Sequence, residues 1–281
     1  MGTIIIGAGI SGLMAAHKFS RALVLERGDK NSIMRMINAT FYAHEFVPKF
    51  AEQKVLVRTV VRGDGTARDY AEKIYGDRNH PVSMDHVDHE TNAWKWDSVA
   101  LLKEVQDHIL WKSSVKRIDL HLGRVYVDES PLCSSGFFAF DKLITSVPLP
   151  VLLKMVGWSA DMPFKSDPIW LMDDLTMAKD IPPEGEQHVI YYPDLSVPYY
   201  RSNQMGGSNI IEFEYSDRMV TDVVRKRGVA LRPGKIWPHP DAGELVQRLK
   251  HYNTFCIGRY ACWEPKMLSN HAWRAIQEIE V

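Results

Sequence analysis

The sequence predicts an α/β protein, a mostly parallel sheet with helices on both faces joined to a smaller α+β lobe. Three observations carry that prediction. A β-branched strand near the start runs straight into a glycine-rich turn and a helix. Short buried-strand runs recur at 22–25, 141–147 and 254–257, as in a parallel sheet covered on both faces. The stretch 151–249 is different in kind, rich in proline and in paired aromatics such as Tyr191-Tyr192 and Tyr199-Tyr200.

Thr3-Ile4-Ile5-Ile6 is the first buried strand. Gly7 to Gly12 is a tight turn, and Leu13 to Phe19 is helical, with Leu13, Ala16 and Phe19 spaced for one face. Ala22 to Leu25 is the second strand, closing a β-α-β unit that sets the two strands parallel. From Asn31 to Trp111 the pattern is irregular until a helical stripe from Ser98 to Ile109. Val115–Leu120 and Arg124–Asp128 flank Gly123 and read as a hairpin. Asp141 to Val147 is a strand stopped by Pro148-Leu149-Pro150. Asn209 to Tyr215 alternates like a half-exposed strand, Asp241 to Tyr252 is helical, Thr254 to Ile257 is a buried strand, and Trp273 to Ile279 ends the chain as a helix.

Composition narrows the class. The chain has 281 residues, 45% hydrophobic and 25% charged, which excludes a disordered protein and suits one core plus a smaller lobe. A net charge of -1 points to no polyanionic partner by itself. Cys133, Cys256 and Cys262 form no CxxC pair, so no zinc framework is expected and a reducing compartment fits. No run approaches the roughly 18 apolar residues of a membrane helix. The predicted fold starts at residue 2 or 3, which leaves no targeting arm, so the expected location is the cytoplasm.

Gly7-Ala8-Gly9-Ile10-Ser11-Gly12 is a GxGxxG motif in its proper strand-turn-helix setting, and so predicts a Rossmann-type dinucleotide site. Gly7 permits the turn, Gly9 lets a pyrophosphate approach the backbone, and Gly12 lets helix and strand pack closely. The helix N-terminus offers unpaired N–H groups to phosphates. Glu26, with Arg27 after it, ends the second strand, where a carboxylate accepts from both ribose hydroxyls and disfavours a 2′-phosphate.

Two further segments resemble a known family. With the opening Ile4-Ile5-Ile6-Gly7-Ala8-Gly9-Ile10-Ser11-Gly12-Leu13, Asp141–Pro148 and Phe255-Cys256-Ile257-Gly258-Arg259-Tyr260 resemble, in order, the FAD-dependent amine oxidase and UDP-galactopyranose mutase superfamily. Tyr191-Tyr192-Pro193-Asp194 and Val197–Arg201 resemble its mutase branch. The resemblance implies FAD as cofactor and a discontinuous FAD-binding domain at 1–45, 108–150 and 250–281, with a substrate lobe at 46–107 and 151–249. It implies that Gly258-Arg259 closes over the pyrophosphate and ribityl chain, that the segment of Trp263 and Met267 leads a helix toward the flavin, that Val115 meets the adenine by backbone, and that Arg35 faces a phosphate. The family's usual Gly-Gly-Arg is absent at Arg35, and family members are usually longer.

Substrate candidates are Arg201, with Tyr200 walling a pocket beside it, His44 in Phe41-Tyr42-Ala43-His44-Glu45-Phe46, and Trp263. Arg201 reads either as an anion-binding group or as an exposed arginine stacked on an aromatic. His44 reads either as a group near the flavin or as an ordinary hydrogen-bonded histidine. Trp94 and Trp96 read as packing. His86 and His89 with Asp85 and Asp88 match no metal template and read as a polar loop, so no metal is expected. Arg225-Lys226-Arg227 with Arg232 and Lys235 gives five positive charges in eleven residues, either a solvated face or a contact for phosphates, including DNA.

Three functions follow from the resemblance. The first is oxidation of an amine C–N bond by hydride transfer to flavin N5, which needs no dedicated acid–base pair. The second is isomerisation of a nucleotide sugar, which needs cationic clamps for a phosphate-bearing substrate. The third is a phage-type oxidation of an amino group on a modified thymine in DNA. None involves a membrane.

Overall fold

A computed structural model describes residues 2–37, 42–80, 90–128, 136–158, 163–173, 182–205, 208–214 and 228–281, with the side chains of 35–37 and 205 outside the description. The elements run β1 (Gly2–Ile6), α1 (Ile10–Lys18), β2 (Leu23–Leu25), α2 (Lys30–Ile37), β3 (Tyr42–Ala43), β4 (Lys54–Val61), α3 (Ala67–Tyr75), β5 (Glu90–Lys95), α4 (Ser98–Val105), β6 (Ile109–Leu110), β7 (Val115–Asp119), β8 (Arg124–Val127), β9 (Phe137–Thr145), α5 (Leu149–Met155), β10 (Ser166–Asp173), β11 (Glu186–Tyr191), β12 (Tyr199–Met205), β13 (Ser208–Glu214), β14 (Val229–Ile236), α6 (Ala242–Lys250), β15 (Thr254–Cys256) and α7 (Ser269–Glu278).

The first sheet has the order β6-β2-β1-β9-β8-β7, and β15 also pairs with β9. Its centre is parallel: β1 lies between β2 and β9, with Ile5 beside Val24 and Ile144. Alternation along these strands sends side chains to two cores. Ile5, Val24 and Ile144 join Leu13 and Ala16 of α1, Leu101 and Leu102 of α4, and Ile276 of α7. Ile4, Ile6 and Leu143 face the other way, onto Leu149 and Leu152 of α5, Leu249 of α6 and the β7–β8 hairpin. Helices therefore cover both faces, as the buried-strand runs predict. No described helix is long and apolar enough to cross a membrane.

The second sheet is mixed, with the order β14-β10-β13-β12-β11-β4-β5-β3. Only β4 and β11 pair in parallel; the other pairs are antiparallel. Val57, Val189, Tyr191 and Ile210 form a core with Tyr70 of α3, whose ring meets Tyr191 edge-on at 5.2 Å.

The stretch read as irregular from Asn31 is not so. It holds β4 and α3. In Lys54–Val61, alternating burial is confined to the first half of the strand, so the period is weak. The helix Ala67–Tyr75 is set by its ends rather than by a long stripe. Thr66 and Asp69 form a capping box, and Gly76 ends the helix in the left-handed conformation at φ 65°. Trp96 is buried, and Trp94 lies edge-on to Phe46 with the Lys54 ammonium over its ring, so both tryptophans pack.

Candidate functional site

The turn between β1 and α1 is built by glycines that have no room for a side chain. Gly7 has φ 94°, and its backbone N–H donates to Leu25 O at 2.9 Å. A Cβ on Gly12 would lie 1.8 Å from the carbonyl oxygen of Gly7. Ser146, just past β9, holds the other side of the turn: its N–H donates to Ile6 O at 2.9 Å and its hydroxyl to the same oxygen at 3.2 Å. Gly9 is the N-cap of α1, so no side chain bonds the amides of the first turn, and that turn carries no acid. The helix end is thereby open to an anion.

Glu26 does more than end a strand. Buried, it accepts from Ala8 N–H at 2.7 Å on one carboxylate oxygen and from Gly28 N–H at 2.6 Å on the other. It thus ties the glycine turn to the chain after β2. A carboxylate has about four acceptor positions, so two remain for ribose hydroxyls. Arg27 beside it is exposed. Val115 opens β7, the last strand of this sheet, with its side chain in the core.

The C-terminal segment returns to the same turn. Ile257 N–H donates to Thr145 O at 2.9 Å, and Gly258, at φ 81°, comes so close that a Cβ would sit 2.4 Å from Ser11 Oγ. The two ends of the chain thereby frame one cleft of about 300 Å³. One wall is Ile10, Ser11, Gly258, Arg259, Met267 and the start of α7. The opposite wall is a face of the second sheet, with Tyr42, His44, Gln187, Arg201, Asn203 and Glu212. These residues fit a dinucleotide: an open helix end, a glycine cradle and a buried acid at the strand end stand where one would need them.

Arg201 is brought into this cleft, and so is His44. Among the described residues Arg201 is stacked on no aromatic. It is half-buried and bonds Glu212, from Nε to Oε1 at 3.1 Å and also from Nη2. Tyr200 and Trp263 are corrections. Tyr200 is buried in the second core with the Lys235 ammonium 3.5 Å from its ring centre, and does not line the cleft. Trp263 is buried on the far side of the first sheet, donating from Nε1 to Trp237 O at 2.9 Å and edge-on to Phe164. Large aromatic surfaces favour burial, and here the cores supply it. The side chain of Arg35 lies outside the described residues, as do Arg225, Lys226 and Arg227 and the histidines at 86 and 89. Among the described residues no group of three metal-ligating side chains converges.

Sequence reasoning missed Tyr42, Gln187, Asn203 and Glu212. The signal for two of them is strand alternation: Tyr42 stands two residues before His44, and Asn203 two after Arg201. Glu212 needs the register, which pairs it with Arg201 across β12 and β13.

Partial burial and the nearby His271 hold His44 below the ordinary histidine value, so its imidazole is neutral near pH 7. Burial pushes the Lys235 ammonium down to about 8, against Asp167, Glu212 and Glu214, which favour the charge. Burial does the same to Lys73, also to about 8. Between that value and the ordinary 10.5, the unfolded chain holds a proton the folded chain has lost. Stability is therefore expected to rise as pH climbs through about 8 and to level off near the ordinary lysine value. Urea midpoints measured across that window test this, and Lys235→Met should flatten the rise.

No protein-family model and no curated protein matches the chain. Solved structures do. A reduced UDP-galactopyranose mutase aligns with a TM-score of 0.63 over 99% of this chain and 93% of its own, at 11% identity. A CLA-producing fatty acid isomerase from P. acnes aligns with a TM-score of 0.52 over 99% and 98%, at 12% identity. The chain shares the fold of these two structures, a Rossmann-like parallel sheet joined to a mixed sheet.

Proposed function

We propose that the chain is an FAD-dependent oxidoreductase acting on the C–N bond of an amine. One observation carries the reading: the dinucleotide turn, the C-terminal loop and a polar sheet face bound a single cleft. The turn from Gly7 to Gly12 and the amides of α1 would hold the FAD phosphates, Glu26 the adenosine ribose, and Gly258 with Arg259 the chain between. Bound FAD supplies a two-electron acceptor. The protein's own groups bind and orient. Glu212 offers a carboxylate to an ammonium group. His44, neutral near pH 7, can take at a ring nitrogen the proton that an arriving ammonium must shed. Ile10, Met267 and Ala272 give the cleft an apolar wall that limits water.

The purified protein should be yellow, bleach with an amine under anaerobic conditions and form peroxide when air is admitted. A colourless protein that takes up no FAD overturns the reading. Gly258→Val places a side chain against Ser11 at a positive φ and should weaken FAD binding by roughly a hundredfold, about 2.7 kcal/mol, in a flavin-fluorescence titration. A second reading is favoured by the two guanidinium groups, Arg201 and Arg259, that line the cleft: an isomerase of a nucleotide sugar, whose diphosphate they would clamp. Turnover of nucleotide sugars only after dithionite reduction would select it over amine oxidation.

A further inference from the structure

We infer that the Arg201–Glu212 pair recognises a zwitterion, the ammonium-and-carboxylate head of an α-amino acid, and that Gln187 recognises an amide further along the same molecule. The inference rests on the amine reading above and names its substrate class.

The pair spans β12 and β13 at directly opposed positions. Arg201 bonds only Oε1 of Glu212. Among the described residues Oε2 accepts no hydrogen bond. Both side chains line the cleft. A simple ammonium there meets an attractive carboxylate and a repulsive guanidinium at nearly equal range, and the two terms largely cancel. A simple carboxylate meets the reverse. A ligand whose own opposite charges stand about 3 Å apart can lie antiparallel to the pair, with its carboxylate on the guanidinium and its ammonium on Glu212. Four charges then alternate around a rectangle, and each neighbouring contact is attractive. An α-amino acid has that spacing, whereas a long diamine does not.

Gln187 supplies the second, independent observation. It lines the cleft from β11 with its side chain fully buried, yet among the described residues neither Oε1 nor Nε2 has a hydrogen-bond partner. Buried amides are almost always paired, so an unpaired one beside a cleft points to a ligand. A carboxamide presents one donor and one acceptor side by side, the complement of another amide. Register fixes the order of the groups. Tyr191 faces Arg201 and Val189 faces Asn203, so Gln187 lies two residues beyond the Asn203 row on the same face. Each two-residue step along a strand is roughly 6.8 Å. The cleft floor therefore reads a charged head at one end and an amide at the other.

L-glutamine carries both groups and is the probe. Titration calorimetry with the whole protein would compare it with three relatives: the amine left when its carboxylate is removed, the acid left when its ammonium is removed, and L-norvaline, which lacks the amide. Glutamine should bind roughly tenfold or more tightly than the amine or the acid. Glu212→Gln, nearly isosteric, should abolish that preference. Gln187→Leu should weaken glutamine and leave L-norvaline unchanged. Equal or tighter binding of the amine or the acid, or no binding of any probe, overturns the inference, and so does a preference that survives Glu212→Gln. The two readings fail separately. A yellow protein bleached by simple amines but indifferent to the zwitterion loses only the substrate class. One that takes up no FAD but prefers glutamine loses only the oxidoreductase.

Discussion

Gly12→Ala is expected to remove a large part of the protein's stability and to lower its soluble yield. The added methyl would fall 1.8 Å from the Gly7 carbonyl oxygen, with the Gly7 carbonyl carbon at 2.9 Å and Ser146 Oγ at 3.4 Å. Two of these atoms are backbone of the turn, so no rotamer change relieves the clash. Either α1 moves off β1 or the turn opens. Both choices uncover Leu13, Met14 and Ala15, which are completely buried. Overpacking usually costs 1–3 kcal/mol where side chains can shift, so a backbone clash of this depth should cost about 4 kcal/mol or more. That is a large part of a typical domain's total stability of roughly 5–15 kcal/mol. Soluble yield and urea unfolding measure it. Gly243→Ala in α6 is the matched control, because nothing lies within 4 Å of its Cβ position. It should stabilise the protein by roughly 0.5–1 kcal/mol. If Gly12→Ala unfolds at the parent urea concentration, the account of the turn is wrong.

The contrast between those two glycines shows what a sequence discloses. Gly12 sits in a local pattern, strand then turn then helix, and local patterns are decided by neighbours in the chain. The glycine turn, the hairpin about Gly123 and the strands at 141–147 and 254–257 are legible for that reason. α3 was equally local, with Thr66, Asp69 and Gly76 as its marks, but it is short and lacks a long apolar stripe, so it was passed over. The cleft is another matter. Its floor depends on β11, β12 and β13 lying side by side, with β3 at the sheet edge beyond β4 and β5, and no residue of Arg201's own neighbourhood announces Glu212. The backbone also shifts register between Tyr199 and Arg201, which breaks simple alternation. Sequence reasoning therefore put Tyr200 beside Arg201 in a pocket, whereas Tyr200 is in the core. Trp263 fails for a related reason: its segment reaches the cleft through Gly258, Arg259 and Met267, while its own indole turns into the opposite core. Cleft residues found from sequence are the ones carried by a backbone motif and its segment or by an ionisable side chain. The neutral amides Gln187 and Asn203 leave no such mark.

Glu26→Ala should combine a stability loss with a loss of cofactor. In the folded chain the carboxylate takes two backbone donors, the buried Ala8 N–H and the part-buried Gly28 N–H, at 2.7 and 2.6 Å. Alanine removes both acceptors at once and strands the Ala8 amide in the core. Bonds to a charged acceptor contribute roughly 1.5–3 kcal/mol each, and a stranded buried donor cannot recover that from water. Even if the turn relaxes enough to admit a solvent molecule, a loss of about 3 kcal/mol is expected. Glu26→Gln separates the two roles. Its single amide oxygen can keep one of the donors, while its NH2 would confront the other. Its stability loss should therefore be smaller, near the cost of one bond. The ribose loses acceptor capacity in both variants, so under the proposed function both should bind FAD more weakly than the parent, including under conditions where Glu26→Gln is fully folded. Urea unfolding without added flavin reads the first effect, and a flavin titration of the folded variant reads the second. A Glu26→Ala protein as stable as the parent would mean that the carboxylate does not hold the turn. A folded Glu26→Gln protein with parental FAD affinity would leave it a structural tie with no part in the nucleotide site.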